Sequence, residues 1–242
     1  MADYSYLYTM KNAKTSTLVP AAFFLAGCLI NVIARFVGNG AVASAVKPAL
    51  LPFLAVTVLA YAFSHPVNRR MLGLLVCAEL FGAAGDMLLI GSSLPLFGGG
   101  ILAFLIGHFF YMRLFGGLSW RGIKPAQWAI CLAVMAALVA GLVWLLGIGG
   151  VMMGPMAVYG MVLMLLIFST LCGVIRRPAA ERKAWIIVLC GALLFTFSDS
   201  LIGLGTTGKE LWHHDFLVMF TYLLAQALLA VGGLSLAAQN KE

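Results

Sequence analysis

Asp86, in the run CAELFGAAGDMLLIG, and Asp199, in CGALLFTFSDSLIGLG, are carboxylic acids set inside stretches otherwise made of apolar and small residues. A carboxylate in hydrocarbon costs several kcal/mol unless it is paired, protonated or turned toward a water-filled cavity, so an acid at membrane depth is read first as a functional group. Two such acids in a low-dielectric setting resist ionising together; a pair divides into proton donor and anion and titrates as a unit. That division suits general acid catalysis, and it suits proton-coupled transport equally well.

Other polar residues share these apolar surroundings. Glu79, Gly82 and Asp86 fall at i, i+3 and i+7, on one helical face, with Gly82 small enough to admit a second backbone or a ligand. Phe104, His108 and Tyr111 repeat this kind of spacing beside Gly107, and Tyr222 and Gln226 stand at i, i+4. Lys47 precedes Pro48, a residue suited to the first position of a helix, which places the lysine near a membrane surface. Each residue also has a plain structural reading. Lys47 can snorkel as an anchor, His108 can pack with its ring on a backbone carbonyl, and Glu79 can be a buried structural acid. Tyr111, Tyr159 and Tyr222 can be ordinary interhelical packing. Ser198 either serves the surroundings of Asp199 or bonds the carbonyl one turn back. His65, His213 and His214 fall at loops and read as surface residues, and Gly98 to Gly100 read as turn and packing glycines rather than a phosphate loop.

What must position these groups is a bundle of membrane helices. With 63% hydrophobic and only 10% charged residues among 242, the chain cannot be arranged as a water-soluble globule, and the expected class is an all-α polytopic membrane protein. At about 20 apolar residues per crossing, eight spans are expected, near 18–37, 46–63, 71–90, 95–115, 126–147, 151–175, 184–204 and 215–237. They form one transmembrane domain, 18–237, between a polar tail at 1–17 and a short tail at 238–242. The first span follows Lys11 and Lys14 as a signal peptide would, but is expected to be retained. Arg69, Arg70, Arg113, Arg121, Lys124, Arg176, Arg177, Arg182, Lys183 and Lys241 fall on one side of the count, which makes both termini cytoplasmic. Lys209 is an exception on the other side. The net charge of +7 follows from this topology, and nucleic-acid binding is not expected. On the same topology Asp86 and Asp199 both lie about 22 to 24 Å from the cytoplasmic boundary, with Lys47 near the outer surface, Tyr159 about 12 Å below it, and Tyr222 and Gln226 about 10 to 17 Å below it. The five cysteines, all in apolar segments and odd in number, read as packed thiols. His108 is the single histidine expected inside the membrane, too few ligands for a hydrolytic zinc site, and no cofactor is implied.

Taken in order, Lys47-Pro48, FGAAGDMLL, FLIGHFFY from Phe104 to Tyr111, Tyr159, LFTFSDS ending at Ser200 and YLLAQ from Tyr222 to Gln226 give a pattern that resembles the YhhN family of polytopic membrane proteins, which includes the animal lysoplasmalogenases. The resemblance covers spans two to four and six to eight. It implies hydrolysis of the vinyl-ether bond of a lysoplasmalogen, releasing a fatty aldehyde and glycerophosphoethanolamine or glycerophosphocholine, with a lysophospholipid and the bilayer as partners. Vinyl ethers are cleaved by protonating carbon, and water then captures the oxocarbenium ion; the labour divides as between the two carboxylates of a glycosidase. On this reading Asp86 and Asp199 share the acid and anion roles. Tyr159, Tyr222, Gln226 and His108 position water and substrate oxygens, Glu79 and Ser198 join the substrate-binding set, and Lys47 attracts the phosphate. A bacterial cytoplasmic membrane is the expected location. Three other classes compete. An intramembrane aspartyl protease would carry Gly-x-Gly-Asp, but Ala83 stands where the first glycine belongs. A proton-coupled transporter of small molecules or lipids would use the same buried acids, and a lipid-binding scaffold would bind without turnover.

Overall fold

In the computed structural model, which describes residues 2–91 and 93–240, the chain is helical almost throughout. The helices are α1 (Ala2–Phe36), α2 (Gly40–Ser64), α3 (Arg69–Leu88), α4 (Leu94–Ser119), α5 (Pro125–Leu146), α6 (Met153–Arg176), α7 (Arg182–Gly205) and α8 (His214–Gln239). All eight are long and apolar enough to cross a membrane, α1 by its stretch from Thr15 onward. The protein is therefore an all-α membrane protein with eight candidate spans. Lys241 lies outside the described residues.

Local chemistry accounts for the helix ends. Asn39 accepts the Val42 amide at the start of α2, and Asn68 accepts the Met71 amide at the start of α3. Pro125 sits in the first turn of α5, where its missing N–H costs nothing, and Gly147 closes that helix in the left-handed conformation at φ 73°. One expected boundary is displaced. Pro48 does not open α2: the Asn39 cap starts the helix at Gly40, and Pro48 and Pro52 both lie inside it. Small residues from Ala41 to Ala45 carry the helix past the expected start, and interior prolines are tolerated in membrane helices whose freed carbonyls find other partners. At the N-terminus, likewise, the polar stretch before Thr15 continues α1.

The distribution of polarity is that of a protein dissolved in lipid. Leu25, Ile130, Trp144 and Phe63 are exposed, while Asn31, Lys47, Glu79, Asp86, His108, Ser198 and Gln226 are buried. Helix α5 is the least enclosed, with Met135 and Val139 its buried residues.

Contacts divide the chain into two compact units, residues 1–107 with 230–242, and residues 108–229. In the first, α1, α2 and α3 pack in sequence and the N-terminal half of α4 lies on α3. A Cβ at Gly107 would stand 3.1 Å from the Ala78 carbonyl, so glycine sets that approach of α4 to α3. Asn68 ties the turn before α3 to the end of α8, its backbone N–H donating to the Ala237 carbonyl and its side-chain amide to that of Asn240. In the second unit α5, α6 and α7 pack in sequence. Phe115 of α4 meets Trp185 of α7 edge to face, and Ser198 of α7 donates to the Val218 carbonyl of α8.

Candidate functional site

Each aspartate is the eighteenth residue of its own helix, α3 for Asp86 and α7 for Asp199. That is about 25 Å of helical rise from the first residue. The surroundings of the two acids differ.

In the first unit, the Lys47 ammonium of α2 lies 3.2 Å from Asp86 Oδ1, and both side chains are nearly sealed, at 10% and 3% exposure. The displaced start of α2 is what makes this pair. With the helix beginning at Gly40, Lys47 falls two turns inside it, its ammonium directed to the acid rather than to a membrane surface. Two opposite charges out of water attract strongly, and each offsets part of the other's desolvation. One turn from Asp86 on the same helix, Gly82 and Ala83 keep the buried face narrow. Gly85 lets the Phe104 ring close over the backbone, since a Cβ there would stand 2.9 Å from the ring. Glu79 shares that face, is fully buried, and neither of its carboxyl oxygens has a hydrogen-bond partner among the described residues.

In the second unit, the Tyr159 hydroxyl of α6 donates to Asp199 Oδ2 across a short 2.5 Å hydrogen bond. Oδ1 is thereby left to other partners. His108 of α4 packs its ring 5.6 Å from the Tyr159 ring and 4.5 Å from Phe195, both edge to face. Phe195 in turn meets Tyr222 at 5.5 Å. On α8, Gln226 bridges two phenols: Tyr111 donates to its Oε1 at 2.9 Å, and its Nε2 donates to the Tyr222 oxygen at 3.3 Å. Because the Tyr222 oxygen accepts there, its own proton points onward. A polarised row, Tyr111 to Gln226 to Tyr222, thus stands on the aromatic wall that also carries His108. Asp199 is only half-buried and, with Tyr159, Ser200 and Gly203, lines a cavity of about 40 Å³. A single water requires about 10 to 15 Å³.

Seven of the nine residues named from the sequence therefore have a defined place beside an acid or in the aromatic wall: Lys47 with Asp86 in the first unit, and Tyr159 with Asp199, His108, Tyr222 and Gln226 in the second. Glu79 is enclosed on the face of Asp86. Ser198 makes neither of the bonds expected of it; its hydroxyl is engaged with Val218, and it steadies α7 immediately before Asp199. Two further residues belong to these clusters. Tyr111 fixes the orientation of the Gln226 amide, and its signal in the sequence is the position three residues after His108. Ser200 lines the cavity of Asp199, and its signal in the sequence is the LFTFSDS stretch that it closes. Of the surface histidines, His214 instead opens α8 half-buried, its ring against Gly205.

Chemically, the two carboxyl groups are held by different means. Asp86 is held by an ammonium from a neighbouring helix. Asp199 is held by a phenol on one oxygen and lines a cavity.

Residues 42–233 match the family model described as the YhhN family. The chain is similar to the human lysoplasmalogenase TMEM86B, with 31% identity over 168 residues, covering 69% of this chain and 64% of the relative. It is also similar to human TMEM86A, at 28% over 184 residues (74% and 71%), and to mouse TMEM86B, at 30% over 186 residues (76% and 72%). The match thus spans somewhat less than two thirds of the length of human TMEM86B. No solved structure matches. Since the family model runs from α2 into α8 and takes in both aspartates, Lys47, His108, Tyr159, Tyr222 and Gln226, the protein is a member of the YhhN family.

Proposed function

We propose that the protein is a membrane-embedded ether hydrolase that cleaves the vinyl-ether bond of a lysoplasmalogen, releasing a fatty aldehyde and a glycerophospho-alcohol. Asp199 donates a proton to the outer carbon of the double bond. Asp86, kept anionic by Lys47, supplies the negative charge that steadies the oxocarbenium ion and accepts a proton from the water that captures it. The hemiacetal then collapses to aldehyde and alcohol. Tyr159 holds the Asp199 carboxyl in place, and His108, Tyr222 and Gln226 orient water and the substrate oxygens.

The observation that carries this reading is the contrast between the two acids, one sealed against an ammonium and the other half-open at a cavity beside a phenol. Vinyl-ether hydrolysis asks for one acid in each condition. Similarity to lysoplasmalogenases from two mammals supports the choice of substrate class.

The test is incubation of the purified protein with alkenyl, alkyl and acyl lysophospholipids of one headgroup. Aldehyde is expected from the alkenyl lipid alone, and fatty acid from the acyl lipid would overturn the assignment. Asp86→Asn and Asp199→Asn, each confirmed as folded and inserted, should lower turnover by about 10² to 10⁴. Near-normal turnover in either would remove that acid from the chemistry.

A further inference from the structure

Beside the Asp199 cavity lies a second one of about 250 Å³, between α5, α6 and α7. The two share Val139, Leu142, Gly160, Leu163 and Ser200 as walls. The larger one continues past Gly160 to Leu138, Met164 and Thr196, away from the α7 end at Gly205 and toward the middle of the three helices. Its two hydroxyls present no outward donor, because Ser200 donates to the Thr196 carbonyl and Thr196 to that of Ala192. The crevice is therefore apolar along its length and has an ionisable group at one end only.

Its outer wall is α5, the helix with the fewest buried residues, where Leu138 is 58% exposed. A further apolar hollow of about 490 Å³ on the α5–α6 face, under Trp144 and Met153, shares Val139, Val143 and Ile148 with the Asp199 cavity. Small-molecule sites span about 300 to 1,000 Å³, a range that this neighbouring hollow reaches by itself.

We propose that this crevice is the aliphatic-chain subsite. It receives the single chain of a lysolipid from the bilayer through the α5–α6 face and holds it with the first carbons at Asp199 and the remainder along Leu142, Leu163 and Met164. The inference rests on the lysolipid reading above and adds where the chain lies and how it arrives. Gly160 is the neck, because a Cβ there would already stand 3.1 Å from Val139.

The test uses an alkyl-ether lysophospholipid, which has no vinyl-ether bond to cleave, carrying a diazirine at the second, eighth or fourteenth chain carbon. It is photolysed with the whole protein in nanodiscs, and the labelled peptides are sequenced. The second-carbon probe should label around Gly160 and Ser200, and the later carbons around Leu138 and Met164, with excess unlabelled lysolipid suppressing both. Labelling concentrated on α1 to α3 would overturn the proposal. So would equal labelling of the same residues by a two-chain phosphatidylcholine probe that lysolipid does not displace, since that marks an ordinary lipid-facing crevice. Gly160→Leu should weaken labelling by the later carbons and lower the preference for a sixteen-carbon over a four-carbon alkenyl substrate about tenfold. Leu138→Trp, at an exposed position that burdens no core, should do the same, and an unchanged map in both variants refutes the subsite. An intact map without any aldehyde release would count against the hydrolase and leave the chain site standing, whereas aldehyde release with labels elsewhere does the reverse.

Discussion

The Lys47–Asp86 pair and the Tyr159–Asp199 bond are the two contacts on which single substitutions act most directly. Removing one member of a buried ion pair leaves the other uncompensated, so Lys47→Met should destabilise the protein by about 3 to 5 kcal/mol. The double variant Lys47→Met with Asp86→Leu should recover most of that loss, because a well-packed apolar pair replaces a desolvated ionic one at little net cost. Thermal unfolding in one detergent measures both, and activity should be absent from the double variant although it folds. Loss of activity without loss of stability in Lys47→Met would mean that the lysine acts on substrate and not on Asp86. Tyr159→Phe removes a hydrogen bond to a carboxyl group worth about 0.5 to 1.5 kcal/mol. If that bond aims the acid, kcat for aldehyde release should fall about tenfold to a hundredfold with KM little changed.

At the scale of the helix, what was legible in the chain and what was not separate along physical lines. The eight apolar stretches were readable because a bilayer sets a length that composition must meet. Asp86, Asp199 and His108 stood out because polar groups are costly in such stretches. The start of α2 was misread at Pro48, since proline is most often a first-turn residue, whereas the side chain of Asn39, nine residues earlier, supplies the cap. That error moved Lys47 to a surface and hid its partner, which no local spacing could reveal. Ser198 was beyond reach for a similar reason, as its acceptor belongs to α8, twenty positions away. Helix approach is likewise set by small residues whose role shows only in three dimensions. Gly107→Leu should force α4 off the Ala78 carbonyl and cost about 1 to 3 kcal/mol, measurable as a lowered unfolding temperature. A variant of unchanged stability would show that this helix pair is not closely packed.

For the molecule as a whole, an even number of crossings returns the chain to the face on which it began. By the positive-inside rule, the arginines and lysines that precede α3, α5 and α7 lead us to expect that face on the cytoplasmic side. Reporters fused at either end should both be active in the cytoplasm and silent outside, and opposite behaviour at the two ends would remove one crossing from the count. The discontinuous make-up of the first unit bears on how the protein comes into being. Its first 107 residues leave the ribosome early, but the piece that completes it, residues 230–242, comes after all of the second unit. Asn68 must therefore wait for the carbonyls of Ala237 and Asn240, about 170 residues downstream, before its amides are satisfied. The chain closes last at one of its earliest turns, and synthesis stalled before α8 would leave an open, unfinished first unit as the species that quality control meets.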